Sequence, residues 1–266
     1  MGGNRVIQFR QPNLAVFQSA LYQTTTAIIQ TTDAVIVTDP NWLPAEIKTI
    51  QHFINEHIGN RQLYIIFTHS DFDHIIAAGA FPHATTIASK AFVEQEDKER
   101  ILNQIKQFDA QYYISRDYPI VYPKIDIIIE KDAQQIMIGD CCLTFYLAPG
   151  HTDDGLMTVI EPLGILLAGD YLSDVEFPFI SNVKAYEETL NKVRQMVDSH
   201  AITTLVPGHG QTTTDQDEIW MRIEHSREYI IHLKNSVDQQ QALKQRYSFY
   251  KGLEPMHEAN IQLIKK

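Results

Sequence analysis

Four apolar runs each end in a small or turn residue followed at once by a side chain that can bind a metal ion. They are Ile65-Ile66-Phe67-Thr68-His69, Tyr146-Leu147-Ala148-Pro149-Gly150-His151, Leu166-Leu167-Ala168-Gly169-Asp170 and Leu205-Val206-Pro207-Gly208-His209. Imidazole nitrogens and carboxylate oxygens are common protein ligands of zinc and of harder divalent ions. If these strand ends converge on one rim of a β core, His69, His151, Asp170 and His209 face a common point. The first run continues as His69-Ser70-Asp71-Phe72-Asp73-His74, four candidate ligands within six residues, and a turn can fan them around more than one ion. Ser70, Asp71 and Asp73 would also serve at the start of a helix, where unpaired backbone N–H groups and the helix dipole favour them. Capping does not account for His69, His74, His151 and His209 together, so the set reads as a metal centre. The remaining histidines, His52, His57, His83, His200, His225, His232 and His257, show no such pattern and read as surface or packing residues.

Strands are needed to carry these residues. Segments 14–18, 21–29 and 34–38 are short, apolar and β-branched, the last running into Asp39-Pro40. Pro44 opens segment 45–58, where Ile47, Ile50, Phe53, Ile54 and Ile58 recur at helical spacing. Further strands are expected at 63–67, 85–89, 125–130, 134–138, 142–147, 157–160, 165–168 and 203–206, and helices at 90–108 and 184–200. A short helix-like piece is expected at 75–80. Segment 112–122 is rich in aromatic residues with two prolines, and reads either as a surface excursion packed by its own rings or as a wall over the site. From Asp215 the chain is helical and rich in Gln and Lys.

Composition narrows the classes. Hydrophobic residues make up 44% and charged residues 21%, the pattern of a globular protein rather than a disordered or collagen-like one. A net charge of −11 would repel phosphate backbones and anionic lipid, so neither nucleic acid nor a membrane is an expected partner. Cys141 and Cys142 are adjacent in a strand-like run, where neighbouring side chains point to opposite faces, so no disulfide joins them. The first twelve residues contain no apolar core of a leader, Val6 replaces the Ser or Thr of a myristoylation signal, and no apolar run approaches ~20 residues. A cytoplasmic protein is expected. Without a Gly/Ser linker or repeat, residues 1–266 are expected to form a single domain, with 215–266 a helical C-terminal extension. Those last helices either close the pocket or build a subunit contact, so a homodimer stays open.

The order Thr68-His69-x-Asp71-x-Asp73-His74, then His151, Asp170 and His209, resembles the metallo-β-lactamase superfamily. The usual signature there is His-x-His-x-Asp-His followed by His, Asp and His. The resemblance extends from about Leu14, through Val37-Thr38-Asp39-Pro40, to Gly210. It implies an α/β protein built as a four-layer αββα sandwich, here with extra C-terminal helices, and a site for two divalent metal ions at one edge of the paired sheets. By position it implies that His69, Asp71 and His151 hold one ion, that Asp73, His74 and His209 hold the second, and that Asp170 bridges them.

Asp71 departs from the pattern, standing where the family usually has its second histidine. Three carboxylates and a bridging hydroxide balance the charge of two divalent ions, so the site is formally neutral. A neutral site polarises its water less, and the added oxygen favours manganese or iron relative to zinc-only sites. Zinc remains the first expectation, with manganese or iron as alternatives.

The resemblance implies a metal-dependent hydrolase that uses a metal-bridging hydroxide on a small-molecule substrate, an ester, lactone or thioester. Asp73 is the candidate catalytic residue, passing the proton from the nucleophile to the leaving group. Related lactonases carry Tyr three residues beyond the bridging Asp, where this chain has Ser173, with Tyr171 nearer. Only the scattered Arg116, Lys124 and Lys184 offer a cation for a glutathione carboxylate. Phe72, Tyr112, Tyr113, Tyr118, Tyr171, Phe177 and Phe179 either line an apolar pocket or pack the core. Two other classes stand beside hydrolysis. One is an iron-dependent oxidoreductase related to the flavodiiron proteins, which carry Glu at the Asp71 position together with a flavodoxin domain that this chain is too short to contain. The other is a non-catalytic binding member of the fold.

Overall fold

The computed structural model describes residues 7–265. The chain runs β1 (Ile7–Gln11), β2 (Leu14–Gln18), β3 (Thr25–Gln30), β4 (Ala34–Thr38), α1 (Pro44–Ile58), β5 (Gln62–Ile66), α2 (Phe72–Ile75), β6 (Thr85–Ser89), α3 (Lys90–Glu94), α4 (Lys98–Gln111) and β7 (Ile127–Ile129). It continues with β8 (Gln134–Ile138), β9 (Cys141–Leu147), β10 (Leu156–Glu161), β11 (Ile165–Leu167), α5 (Val183–Ser199), β12 (Thr204–Val206), α6 (Gln216–Lys234), α7 (Gln240–Arg246) and α8 (Tyr250–Ile264). β1 to β7 form one sheet in sequence order, and β12-β11-β10-β9-β8 form the second.

Alternation along the central strands produces the layers. In β4, Val35 and Val37 face a core shared with α1 to α4, while Ala34 and Ile36 face the other sheet. In β10, Met157 and Val159 face a core shared with α5 and α6, while Leu156 and Ile160 face the first sheet. Strands buried on both faces read as continuous apolar runs, and their period of two divides each run between two cores. Three apolar layers therefore separate four structural ones, giving the αββα sandwich. Each buried aliphatic side chain contributes ~1.5–3 kcal/mol, so a charge at Ile36 or Leu166 would open the stack.

Strand direction gathers the site. β4, β5, β6 and β7 are parallel, and so are β11 and β12, with Thr38 level with Ile66 and Leu167 level with Val206. β9 is antiparallel to β10, which is antiparallel to β11, so β9 runs in the same sense as β11. The turns after β4 and β5 thus leave one end of the first sheet, and those after β9, β11 and β12 leave one end of the second. Backbone bonds stitch the two rims together: Leu156 N–H donates to Thr68 O at 2.7 Å and Thr25 N–H to Gly208 O at 2.7 Å.

Several elements differ from expectation. β1 arises within a stretch where no strand was predicted, by pairing antiparallel with β2. β3 begins at Thr25 because Tyr22 and Gln23, both at positive φ, make a turn. The helix expected at 90–108 is divided into α3 and α4, and α2 precedes the expected 75–80 piece, which is a 3-10 turn at Ala78–Ala80. Segment 112–122 is irregular; Arg116 ties it down through Asp109, Trp42 O and the Tyr118 hydroxyl. Beyond residue 215 the chain is helical, and Tyr229, Leu243 and Tyr250 join the outer core of the second sheet. No helix among the described residues is long and apolar enough to cross a membrane. Cys141 and Cys142 are free, Cys141 facing the core between the sheets.

Candidate metal centre

All seven candidate ligands come together at the joined rims. His69 follows β5, and Asp71 precedes α2, whose first residues bring in Asp73 and His74. Asp71 occupies the N-cap position in extended conformation, yet its side chain makes no capping bond. Its carboxylate turns instead to the imidazoles, with Oδ2 3.3 Å from His151 Nε2 and 3.7 Å from His69 Nε2. Asp73 Oδ2 lies 3.6 Å from His74 Nε2 and 3.5 Å from His209 Nε2. Asp170 stands between the two groups: Oδ2 is 3.5 Å from His69 Nε2 and 3.3 Å from both His151 and His209 Nε2, and Oδ1 is 3.1 Å from His74 Nε2. Gly208 permits this approach, since a Cβ there would overlap Asp170 Oδ1.

The opposite ring nitrogen of every imidazole is already engaged. His74 Nδ1–H donates to Asp39 Oδ2 at 2.9 Å, and His69 Nδ1–H to Thr68 Oγ1 at 3.0 Å, whose hydroxyl donates in turn to Asp39. His151 Nδ1–H donates to Phe179 O and His209 Nδ1–H to Tyr22 O, each at 2.9 Å. With Nδ1 engaged in this way, all four rings turn Nε2 to the same small volume. His74 and His209 bring their Nε2 atoms to 3.3 Å, a separation that needs a shared proton or a cation between the two nitrogens. His69 Nε2, His151 Nε2 and Asp170 Oδ1 are buried and make no hydrogen bond. Ligand bonds of ~2.0–2.1 Å in a tetrahedral shell hold donor atoms about 3.3 Å apart. The side chains present therefore fit divalent cations.

Protein charges alone make this a tightly coupled set. Burial works against a charged His209, but Asp170, Glu176 and Asp73 outweigh it and raise the ring to about 10. His74 and His151 are raised in the same way, against burial, by the surrounding carboxylates. Burial likewise opposes a charged Asp170 and Asp71, and the imidazoles hold both well below the ordinary carboxylate value. Bound protons here occupy the places that a divalent ion would take.

Sequence patterns did not identify the residues that orient the rings. Asp39, 2% exposed, accepts from Thr68 N–H at 2.8 Å as well as from His74, so one carboxylate aligns two of the imidazole-bearing turns. Its signal was available: it directly follows β4, the parallel neighbour of β5. Tyr22 and Phe179 act through backbone carbonyls, which carry no signature of residue type. Glu176 also faces the site; burial raises its pKa, Asp170 and Asp73 add to the rise, and His209 and His151 oppose it.

The aromatic residues divide. Tyr171 and Phe177 are core, the Tyr171 hydroxyl donating to Pro149 O at 2.8 Å. Phe72 packs on Trp42 with ring centroids 5.6 Å apart, and Phe179 lies 6.4 Å from the His151 ring. Tyr118 is half-buried, whereas Tyr112 and Tyr113 are exposed.

Fold and site together define the class: the chain belongs to the metallo-beta-lactamase superfamily, whose family model matches residues 20–216. Among solved structures it is similar to the stereoselective inverting sec-alkylsulfatase Pisa1 from Pseudomonas sp., with 14% identity, 89% of this chain and 43% of that chain covered, and a TM-score of 0.64. A metallo-beta-lactamase family protein from Thermus thermophilus is 16% identical, with 86% and 84% covered and a TM-score of 0.62. An archaeal superfamily protein from Sulfolobus tokodaii is also 16% identical, with 83% and 87% covered and a TM-score of 0.58. At these identities the likeness is one of fold, and this chain spans less than half the length of the alkylsulfatase. No curated protein matches the sequence. Family membership and the His/Asp groups together mark a candidate site for divalent metal ions.

Proposed function

We propose that the protein is a binuclear metal-dependent hydrolase of a small ester, lactone or thioester without a negative charge near the reacting group. The observation that carries this reading is the common orientation of four imidazoles, each with Nδ1 engaged and Nε2 turned toward Asp170. His69, Asp71 and His151 would hold one ion, and Asp73, His74 and His209 the other, with Asp170 between them. Zinc is the first choice, while the extra oxygen of Asp71 also suits manganese or iron. When bound, such ions acidify water and polarise the oxygen of the group under attack.

The protein's own groups supply the rest. Asp73 directs Oδ2 toward His74 and His209, leaving Oδ1 to accept the proton of the attacking water and return it to the leaving group. Asp39, Tyr22 and Phe179 hold the rings in the tautomer that keeps Nε2 unprotonated.

Charge at the rim narrows the substrate. The cavity beside His151 and Asp170 is lined by Ser173, Glu176, Phe177 and Phe179, and among the described residues no Lys or Arg lines it. Arg116 is bonded to Asp109 and Trp42 O, and Lys184 lies on the exposed surface beside Glu188. Neither cation stands beside Glu176 to receive a glutathione carboxylate. The two free cysteines accord with the cytoplasmic placement, which is part of the same proposal.

The test is metal analysis of protein purified without added ions, followed by a chromogenic ester, lactone and thioester panel with each metal restored. Chelation should abolish hydrolysis and one divalent ion should restore it; undiminished turnover after complete chelation would refute the reading. The oxygen of Asp71 also favours a second reading, an iron-dependent oxidoreductase. Oxygen consumption with an iron absorption band would support it, and full hydrolytic activity of iron-free protein would exclude it. Loss of measured hydrolysis in His209→Ala would exclude a purely binding role.

A further inference from the structure

The superfamily match ends at residue 216, yet α8, far beyond it, bonds to the segment whose carbonyl meets the His151 ring. The backbone before His151 is held by groups from within the matched region. Ser181 N–H donates to Gly150 O at 2.8 Å, and the Tyr171 and Thr189 hydroxyls donate to Pro149 O. These bonds place the main chain but leave the ring free to rotate. The ring's orientation depends on Phe179 O, which lies in the irregular segment between β11 and α5.

Asn260 of α8 holds that segment on both sides of Phe179. Its Nδ2 donates to Pro178 O at 2.7 Å and its Oδ1 accepts from Ile180 N–H at 3.1 Å. The amide is itself braced, since Nδ2 also donates to the Tyr229 hydroxyl at 2.9 Å, and that hydroxyl pairs with His257 Nδ1 at 2.9 Å. Asn260 is 2% exposed, Tyr229 4% and His257 5%. The Phe179 carbonyl and Ile180 N–H form one planar peptide, so an amide that holds this N–H and the preceding carbonyl fixes the direction of Phe179 O more firmly than apolar packing could, because both of its groups are directional.

We propose that Asn260 is a positioning residue of the metal centre: by clamping residues 178–180 from α8, it fixes the carbonyl that sets the His151 imidazole. This rests on the reading of His151 as a metal ligand. The C-terminal helices are thereby a working part of the site as well as a cover for the second sheet.

The test compares the full-length protein with Asn260→Ala, Asn260→Asp, His151→Ala and Leu243→Ala. Leu243 is buried in the same outer core and makes no bond to the 178–180 segment, so its variant controls for lost stability. Asn260→Asp is nearly isosteric and replaces the donor facing Pro178 O with a repelling oxygen. Readouts are zinc affinity by chelator competition and the visible spectrum of the cobalt-loaded protein. Both Asn260 variants should weaken one of the bound ions by about 10- to 100-fold, the usual range for losing the partner of a ligating histidine, and should change the cobalt spectrum. Leu243→Ala should lower the melting temperature with metal affinity unchanged. Wild-type affinity and spectrum in Asn260→Asp, with His151→Ala defective, would overturn the positioning role. Wild-type affinity in His151→Ala would overturn the metal-centre reading itself.

Discussion

Asp39 Oδ2 accepts the Nδ1–H of His74 at 2.9 Å, although 35 residues separate them and Asp39 belongs to a different strand end. The same carboxylate receives the Thr68 hydroxyl and backbone N–H, and Thr68 receives His69 Nδ1–H. One buried acid therefore sets the tautomer of two imidazoles, one in each proposed metal group. Asp39→Asn can donate its amide to His74 Nδ1 and so reverse that tautomer, whereas Asp39→Ala leaves both rings loose. Metal affinity should fall about 10- to 100-fold in either variant, as measured by chelator competition. Unchanged affinity would show that the carboxylate does not act through the rings.

Gly208 lies where a methyl group would overlap Asp170 Oδ1. Gly208→Ala should push Asp170 from between the imidazoles, with a stability cost of about 1–3 kcal/mol from overpacking and a loss of metal retention. Thermal unfolding and metal content check the two effects separately. A variant that loses stability while retaining wild-type metal would mean that Asp170 is not displaced.

Asp73→Asn keeps an oxygen for ligation and removes the ability to carry a proton. If Asp73 transfers the proton, kcat should fall about 10²- to 10⁴-fold with metal content little changed. A parallel loss of metal and activity would assign it to ligation alone.

Asp71→His supplies the nitrogen that the family usually has and removes a negative charge. Zinc retention should rise and the preference for manganese or iron over zinc should fall, measured by metal competition. Equal zinc retention in the two forms would count against Asp71 as a ligand.

Acidity should control metal uptake with a definite sign. With protein charges alone, His209 is raised to about 10, so its ring carries a proton at neutral pH that an incoming ion must displace. Apparent metal affinity should strengthen as pH rises through roughly 6 to 9, with proton release on binding, as read by calorimetry in buffers of different ionisation heat. The stability of chelated protein should move the other way. The His209 contribution is present below the ordinary imidazole value of 6.5 and fades as pH climbs toward about 10, because the folded ring holds its proton more tightly than the unfolded one. Asp170 and Asp71, both depressed, stabilise above the ordinary carboxylate value of 3.8 and lose that contribution in acid. Metal should therefore raise the melting temperature more at pH 9 than at pH 6. A pH-independent metal affinity would refute the displacement of ring protons.

The amino-acid order alone determined which side chains could form the centre and where the strands beneath them end. Runs such as Leu166-Leu167-Ala168 and Leu205-Val206 are apolar because their strands are buried on both faces, and a ligand-type residue just beyond such a run stands out from sequence alone. The break between α3 and α4 and the late start of β3 were hidden, because each depends on a local turn conformation that the residue types permit without requiring. Only the tertiary structure decided how the imidazoles are aimed. Asp39, Tyr22 O, Phe179 O and the Asn260 clamp lie far along the chain from the rings they control, and a backbone carbonyl looks the same at every residue. Hydrogen bonds depend on direction and distance in space, and these are set only when the two sheets and α8 have packed.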